Sequence, residues 1–164
     1  MSIISIPGIS EPIASISHLF MAFATIYFGY RSVSRSAQKN PPNLSLKIFL
    51  LSACFLFVMS GFYHLVDDSN PFRTTLRRLD HAAIWVMIIG TFTSLHLHFF
   101  ERWALWGMLF LIWVVGITGM TIELVYFNSF PEWLSTSLYL LLGWAGLVSG
   151  ILYFQKFGKK RLWL

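Results

Sequence analysis

The chain has 164 residues, of which 56% are hydrophobic and only 12% are charged, and its mean hydropathy is +0.65. A soluble domain carries about twice that charged fraction, so the composition excludes an ordinary water-soluble globular protein. The net charge of +5 comes mainly from residues 31–47 and 156–161, which flank apolar runs as membrane-surface anchors do. No stretch is long enough to form a basic water-facing domain, so we expect membrane lipid as a partner and no nucleic acid.

Five apolar runs bounded by charged residues or proline follow one another, at residues 13–30, 48–66, 82–100, 103–126 and 133–154. Each run has roughly the 20 residues that a helix needs to cross a bilayer, and lone strands cannot satisfy their backbone in lipid. The sequence therefore predicts an all-α fold, a polytopic membrane helix bundle of about five transmembrane helices in a single domain, 1–164. The longer connections contain a Pro41-Pro42 break and an Asn70-Pro71 turn.

The last two predicted spans contain glycines that we interpret as sites of close helix contact and not as a phosphate-binding loop. They are Gly116, Gly119, Gly143, Gly146 and Gly150.

Successive spans run in opposite directions, which determines which polar residues share a side of the membrane. We call the N-terminal side of the first span side A and the opposite side B. Five residues are expected at comparable depth on side A, with Glu11 just outside them: His18, Ser60, His64, Asp80 and His81. His96 and His98 are expected at the side-B surface, and Glu123 at an interface.

Ser60 and His64 are four residues apart, so they project from one face of the second helix. Asp80 opens the third span on the same side, where its carboxylate can hold a metal-bound water. Ionisable groups at membrane depth are costly, which makes these residues functional candidates. Two simpler interpretations remain open: an interfacial His64 bonded to a backbone carbonyl, and an Asp80 that caps the third helix.

Three motifs carry a family resemblance. In order and spacing, SGFYH at 60–64, LRRLDHAAI at 76–84 and IGTFT at 89–93 are similar to signatures of the hemolysin III branch of the progestin and adipoQ receptor family. The segment 11–18 resembles the family's N-terminal region more weakly. Beyond about residue 101 only the hydrophobic pattern agrees, and Ser94 stands where the family usually has proline.

The resemblance implies a seven-helix fold related to adiponectin receptors and alkaline ceramidases, with zinc held by one histidine of the second span and two of the seventh. By this resemblance His64 is a metal ligand, Asp80 contacts the metal through water, and Ser60 and Asp80 are catalytic. A lipid amide is then the expected substrate, cleaved by a zinc-dependent membrane hydrolase.

The chain departs from that pattern because it ends about where a sixth span would begin, leaving the first five of seven helices and one of three zinc ligands. We therefore expect an incomplete zinc site in a fragment, a degenerate paralogue or a subunit, completed by a homo-oligomer or a partner that supplies the missing helices. His18 and His81 lie on the correct side to assist.

Two other functions remain open. One is a pore-forming or membrane-perturbing, cytolytic protein; the other is a haem-binding bundle with His18, His64 or His81 as axial ligands. The expected location is a bacterial inner, or plasma, membrane.

Two considerations disagree about the topology. Side B carries nine Lys and Arg residues against three on side A, which puts side B in the cytoplasm by the positive-inside rule. The resemblance to adiponectin receptors implies the reverse, with the N-terminus and the metal cytoplasmic. We follow the charge count.

Overall fold

A computed structural model describes residues 9–36, 44–99, 106–129 and 131–157. These residues form five α-helices: α1 (Pro12–Ser36), α2 (Leu44–Leu65), α3 (Arg73–Phe99), α4 (Trp106–Val125) and α5 (Glu132–Phe157). Within the described residues, each predicted apolar run lies on one of these helices to within one residue of its end, which confirms the all-α helical bundle. The Pro41-Pro42 break, the predicted start of span four at Trp103 and the basic residues 159–161 lie outside the described residues, as does the side chain of His98.

The start of α3 differs from the prediction. The helix begins at Arg73, nine residues before the predicted residue 82, because the Asn70-Pro71 turn initiates it. The side-chain oxygen of Asn70 accepts a hydrogen bond from the N–H of Phe72 (2.9 Å), and its carbonyl accepts one from Arg73 (3.0 Å). Asp80 therefore lies about two turns inside α3, and its interpretation as a helix cap is wrong.

Lipid is the solvent that suits this bundle. Within the part of the chain that the structure describes, three helical segments are long and apolar enough to cross a membrane: Pro12–Arg35, Leu44–Leu65 and Trp106–Val125. Large apolar side chains cover their outer surfaces, including Phe20 (66% exposed) and Phe110 (72% exposed). Water would not tolerate so extensive an apolar surface, so the protein is an integral membrane protein.

Helix α3 is the centre of the packing. It packs against α2 on one face and against α4 and α5 on the other, while α1 packs on the far side of α2. A cluster of buried apolar side chains lies between α3, α4 and α5. It consists of Trp85, Phe92, Leu109, Ile112 and Leu142.

Glycines let neighbouring helices approach closely at some of the predicted positions. A Cβ at Gly116 would lie 2.6 Å from Ile89, and one at Gly119 would overlap the indole of Trp85, which confirms close contact there. A Cβ at Gly146 would lie 3.6 Å from the nearest ring atom of Phe92, which is an ordinary van der Waals contact. No described atom lies within 4 Å of a Cβ at Gly143, so the prediction of close contact is wrong for that glycine. The surroundings of Gly150 lie outside the described part.

Candidate functional site

Two polar clusters lie at the side-A end of the bundle, where α1, α3 and α5 begin and α2 and α4 end. The first, which we call the His64 cluster, joins α1, α2 and the start of α3 and contains Glu11, His18, His64 and Arg73. The second, the Glu123 cluster, joins α3, α4 and α5 and contains His81, Trp85, Glu123, Ser135 and Tyr139.

Glu11, immediately before α1, contacts both the side chain and the backbone of His64. Nδ1 of His64 lies 3.1 Å from Oε2 of Glu11, and the His64 carbonyl accepts a hydrogen bond of 3.0 Å from the N–H of Glu11. The imidazole also stacks on that of His18, with ring centroids 5.6 Å apart and planes inclined by 10°. The predicted side-A grouping of His18 with His64 is thus a direct contact, and Glu11, expected just outside the group, belongs to it.

The register of α1 against α2 brings Glu11 and His18 to His64. The hydroxyl of Ser15, which is fully buried, donates a hydrogen bond of 3.0 Å to the carbonyl of Gly61. Gly61 has no side chain, so Leu19 packs against its Cα, where a Cβ would lie 2.7 Å from the leucine. Ser60, the predicted catalytic serine, is also buried and lies one turn before His64 on α2.

Arg73 attaches the start of α3 to the same cluster. Its Nε lies 2.8 Å from Oδ1 of Asp68, and its Nη2 lies 3.8 Å from Oε1 of Glu11. The guanidinium also donates hydrogen bonds to the carbonyl of Tyr63, in the last turn of α2, and to that of Val66, immediately after the helix. One arginine therefore caps α2 and places a positive charge beside the carboxylate that contacts His64.

Asp80 lies seven residues after Arg73 on α3, and therefore on nearly the same face of the helix, about 10 Å further along its axis. It is partly buried, and among the described residues no hydrogen bond or ion pair joins it to His64. The structure thus places Asp80 on the side of α3 that carries the His64 cluster, without direct contact.

The described residues do not form a complete zinc site. Within residues 9–36, 44–99, 106–129 and 131–157, no three His, Cys, Asp or Glu side chains are close enough together to hold a metal ion. His64 with its Glu11 carboxylate matches one histidine ligand and its supporting group, so the donor set fits part of a metal centre only.

The Glu123 cluster was not foreseen. Glu123 lies two residues before the end of α4, and it is only 3% exposed because its side chain faces the interior of the bundle. Its Oε1 contacts Nδ1 of His81 (2.8 Å) and accepts a hydrogen bond from Ser135 (3.0 Å). Its Oε2 accepts hydrogen bonds from the indole N–H of Trp85 (2.6 Å) and the hydroxyl of Tyr139 (2.8 Å).

A signal for this cluster existed in the sequence. The alternation of helix direction places Glu123 on side A with His81, and a carboxylate inside an apolar helix requires polar partners. Since His81 is engaged by Glu123, it is not available to assist at His64. His96, expected at the side-B surface, is 4% exposed, and its Nδ1 lies 2.8 Å from the carbonyl of Phe92.

Comparisons with known proteins bear on this arrangement. A family model described as haemolysin-III related matches residues 9–163. The chain is 27% identical over 106 residues to the hemolysin-3 homolog of Bacillus subtilis (strain 168), a match covering 65% of this chain and 49% of that protein. It is 26% identical over 106 residues to hemolysin-3 of Bacillus cereus, covering 65% of this chain and 48% of that protein.

The matched segment thus spans about half the length of each of these curated relatives. No solved structure matches the chain significantly. The family model covers nearly all of the sequence, including both polar clusters on side A. The chain therefore belongs to the hemolysin III family of integral membrane proteins.

Proposed function

We propose that this chain supplies part of the zinc site of a membrane-embedded hydrolase that cleaves lipid amides, with His64 as its metal ligand. The supporting observation is the position of the Glu11 carboxylate, which lies 3.1 Å from Nδ1 of His64, at ion-pair distance but without the angles of a hydrogen bond. Histidines that bind metals usually donate the other ring N–H to a carboxylate, which orients the ring and makes the ligand nitrogen more basic. In the metal-bound form, the His64 ring would turn so that Nδ1–H donates to Glu11 and the lone pair of Nε2 faces the metal.

In this proposal Ser60 and Asp80 are the catalytic groups, and Asp80 meets the metal through water, a role that needs no direct contact with His64. When bound, zinc supplies a Lewis acid that makes water a nucleophile near neutral pH. The remaining protein ligands would come from further helices, in a second copy of the chain or in a partner. The membrane setting suits a lipid substrate, and the bacterial relatives support a bacterial inner, or plasma, membrane as the location.

Metal binding by the purified protein in detergent tests this proposal directly. With the further helices present, as in a homo-oligomer within the micelle, we expect the wild-type chain to bind Zn²⁺ and His64→Ala to lose that binding. Glu11→Gln should weaken it by roughly 10- to 100-fold, the usual effect of removing a carboxylate that supports a metal-bound histidine. His96→Ala, which removes a histidine from the opposite end of α3, is the matched control and should bind as the wild type does. A wild-type affinity in His64→Ala would contradict the proposal.

Hydrolysis is tested separately, by mass spectrometry of fatty acid released from ceramide in proteoliposomes. We expect release to require added Zn²⁺ and to fall more than tenfold in Asp80→Asn and in Ser60→Ala. Zinc binding through His64 without any hydrolysis would retain the metal site and reject the enzyme.

Membrane perturbation is the alternative, because both relatives carry the name hemolysin. Leakage of dye from liposomes distinguishes the two functions. A perturbing protein should cause leakage that His64→Ala and Asp80→Asn leave unchanged, whereas a hydrolase should lose its activity in both variants. The haem alternative fits the geometry less well, since His18 and His64 turn their ring faces toward each other, while axial ligands direct ring nitrogens at the iron.

A further inference from the structure

A cleft separates α1 from α2 at the end of the bundle opposite to the His64 cluster. It has a volume of about 320 Å³, toward the lower end of the range for small-molecule sites. Its walls are mostly apolar and include Ile26 and Val33 from α1, and Leu51 and Cys54 from α2. Lys47 is the one charged residue among those that line it.

The cleft runs from the side-B surface into the membrane. Lys47 lies in the first turn of α2 and Val33 near the end of α1, so both mark the surface. Cys54 follows Lys47 by seven residues, which places it about 10 Å deeper along α2. A molecule that fills the cleft must therefore combine a polar group at its outer end with an apolar segment that points into the bilayer.

Gly29 forms part of the wall, at a point where α1 and α2 approach each other closely. A Cβ at this position would lie 2.9 Å from a methyl group of Leu50, so the backbone of α1 rests on that side chain. The two helices thus form an open groove with mostly apolar walls, which an extended apolar chain can enter from the surrounding lipid.

The positive charge around the mouth of the cleft indicates which polar group a bound molecule carries at its outer end. Lys47 is exposed at the mouth, and Arg31 and Arg35 are exposed on the end of α1 at the same surface. Side B also carries nine of the 12 Lys and Arg residues of the sequence, as is usual for the cytoplasmic side that faces anionic lipids. Basic pockets between transmembrane helices on that side commonly bind anionic headgroups.

We propose that this cleft binds one anionic phospholipid of the side-B leaflet. The ammonium group of Lys47 contacts the phosphate, and an acyl chain lies along Ile26, Leu51 and Cys54. The site is independent of the proposed metal site, because the two lie at opposite ends of α1 and α2.

Lipid retention by the purified full chain, measured by native mass spectrometry, tests the proposal. Phosphatidylglycerol should remain bound to the wild type in preference to phosphatidylcholine of the same acyl chains. Lys47→Gln should lower that preference about fivefold, the factor expected from one lysine near an anionic surface, and Lys47→Arg should keep it. Arg35→Gln is the matched control, since it removes a positive charge from the same surface but does not line the cleft.

Three results would overturn the assignment. The first is equal retention of the two lipids by the wild type. The second is an equal loss of preference in Lys47→Gln and Arg35→Gln, which would indicate attraction to the whole basic surface. The third is competition by glycerol 3-phosphate as effective as that by phosphatidylglycerol, which would indicate a site for a free phosphate and not for a lipid.

Discussion

At the side-A surface, individual hydrogen bonds change the pKa of a carboxyl group. In the turn between α2 and α3, the carboxylate of Asp67 accepts hydrogen bonds from the backbone N–H and from the hydroxyl of Ser69, each 2.9 Å long. These bonds favour the charged form of the carboxyl group and lower the pKa of Asp67 below its ordinary value.

The lowered pKa of Asp67 determines how the stability of this turn depends on pH. A carboxyl group whose pKa is lower in the folded state stabilises the fold above its unfolded pKa, and the stabilisation is lost as the pH falls through the folded value. We expect Ser69→Ala to raise the pKa of Asp67, because it removes the hydroxyl bond and keeps the backbone one. NMR titration of the Asp67 carboxyl carbon in micelles measures this, and an unchanged pKa would contradict it.

The buried hydroxyl of Ser15 sets the register of α1 against α2. Ser15→Ala removes its hydrogen bond to Gly61 and should lower the free energy of unfolding by about 1 kcal/mol. Ser17→Ala is the control, since that exposed hydroxyl bonds only to the carbonyl of Ala14 in its own helix. Unfolding with sodium dodecyl sulfate in mixed micelles measures both variants. Equal effects would show that Ser15 has no special role.

At the scale of elements, how closely two helices pack depends on where a glycine of one helix faces a side chain of the other. A Cβ at Gly90 of α3 would overlap the hydroxyl of Ser52 of α2, and that hydroxyl is already bonded to the carbonyl of Ile48 (2.9 Å). The α2–α3 pair, the most extensive in the bundle, therefore cannot admit even a methyl group there without moving.

We expect Gly90→Ala to lower the free energy of unfolding by about 1–3 kcal/mol, as overpacking of a close contact does. Gly143→Ala provides the contrast, because nothing described lies near that position and alanine favours helix by roughly 0.5–1 kcal/mol. The same detergent titration measures both. A Gly90→Ala protein as stable as the wild type would show that the helices separate there at little cost.

At the scale of the whole molecule, Glu123 joins the second half of the bundle to the first. Its carboxylate contacts two side chains of α3 and two of α5, so it links the three helices α3, α4 and α5 at one depth. A carboxylate with four partners is well satisfied in an apolar setting, and its removal leaves all four without an acceptor.

Glu123→Ala should lower the free energy of unfolding by about 2 kcal/mol, since interhelical hydrogen bonds in membranes average about 0.6 kcal/mol each. Tyr139→Phe removes one of the four and should cost only about 0.6 kcal/mol. Unfolding in mixed micelles again measures both variants. Equal losses in the two would mean that the other three contacts contribute nothing.

The orientation of the bundle is also a property of the whole chain. With nine basic residues on side B against three on side A, we expect side B to face the cytoplasm. A reporter that is active only in the cytoplasm should work when fused after α5 and fail when fused before α1. The reverse pattern would favour the orientation expected from the resemblance to adiponectin receptors.

The sequence by itself determined that lipid is the solvent, that the chain forms five helices, and at which end of the bundle the polar residues lie. In lipid, a single span can satisfy its backbone hydrogen bonds only as a helix. The apolar runs and their charged boundaries are therefore sufficient to locate the helices. Alternation of direction then placed His18, His64, His81 and Asp80 on one side.

Only the tertiary structure decided which of these residues meet. His64 turns to Glu11 and His18, whereas His81 turns away to Glu123, although both histidines lie on side A. The direction in which each histidine points depends on the rotation of its helix about the helix axis. That rotation depends in turn on where two backbones can approach each other, as at Gly61 and Gly119. A period of 3.6 residues gives relative angles within one helix but not the face that a neighbour will cover, because that face is chosen by packing between helices.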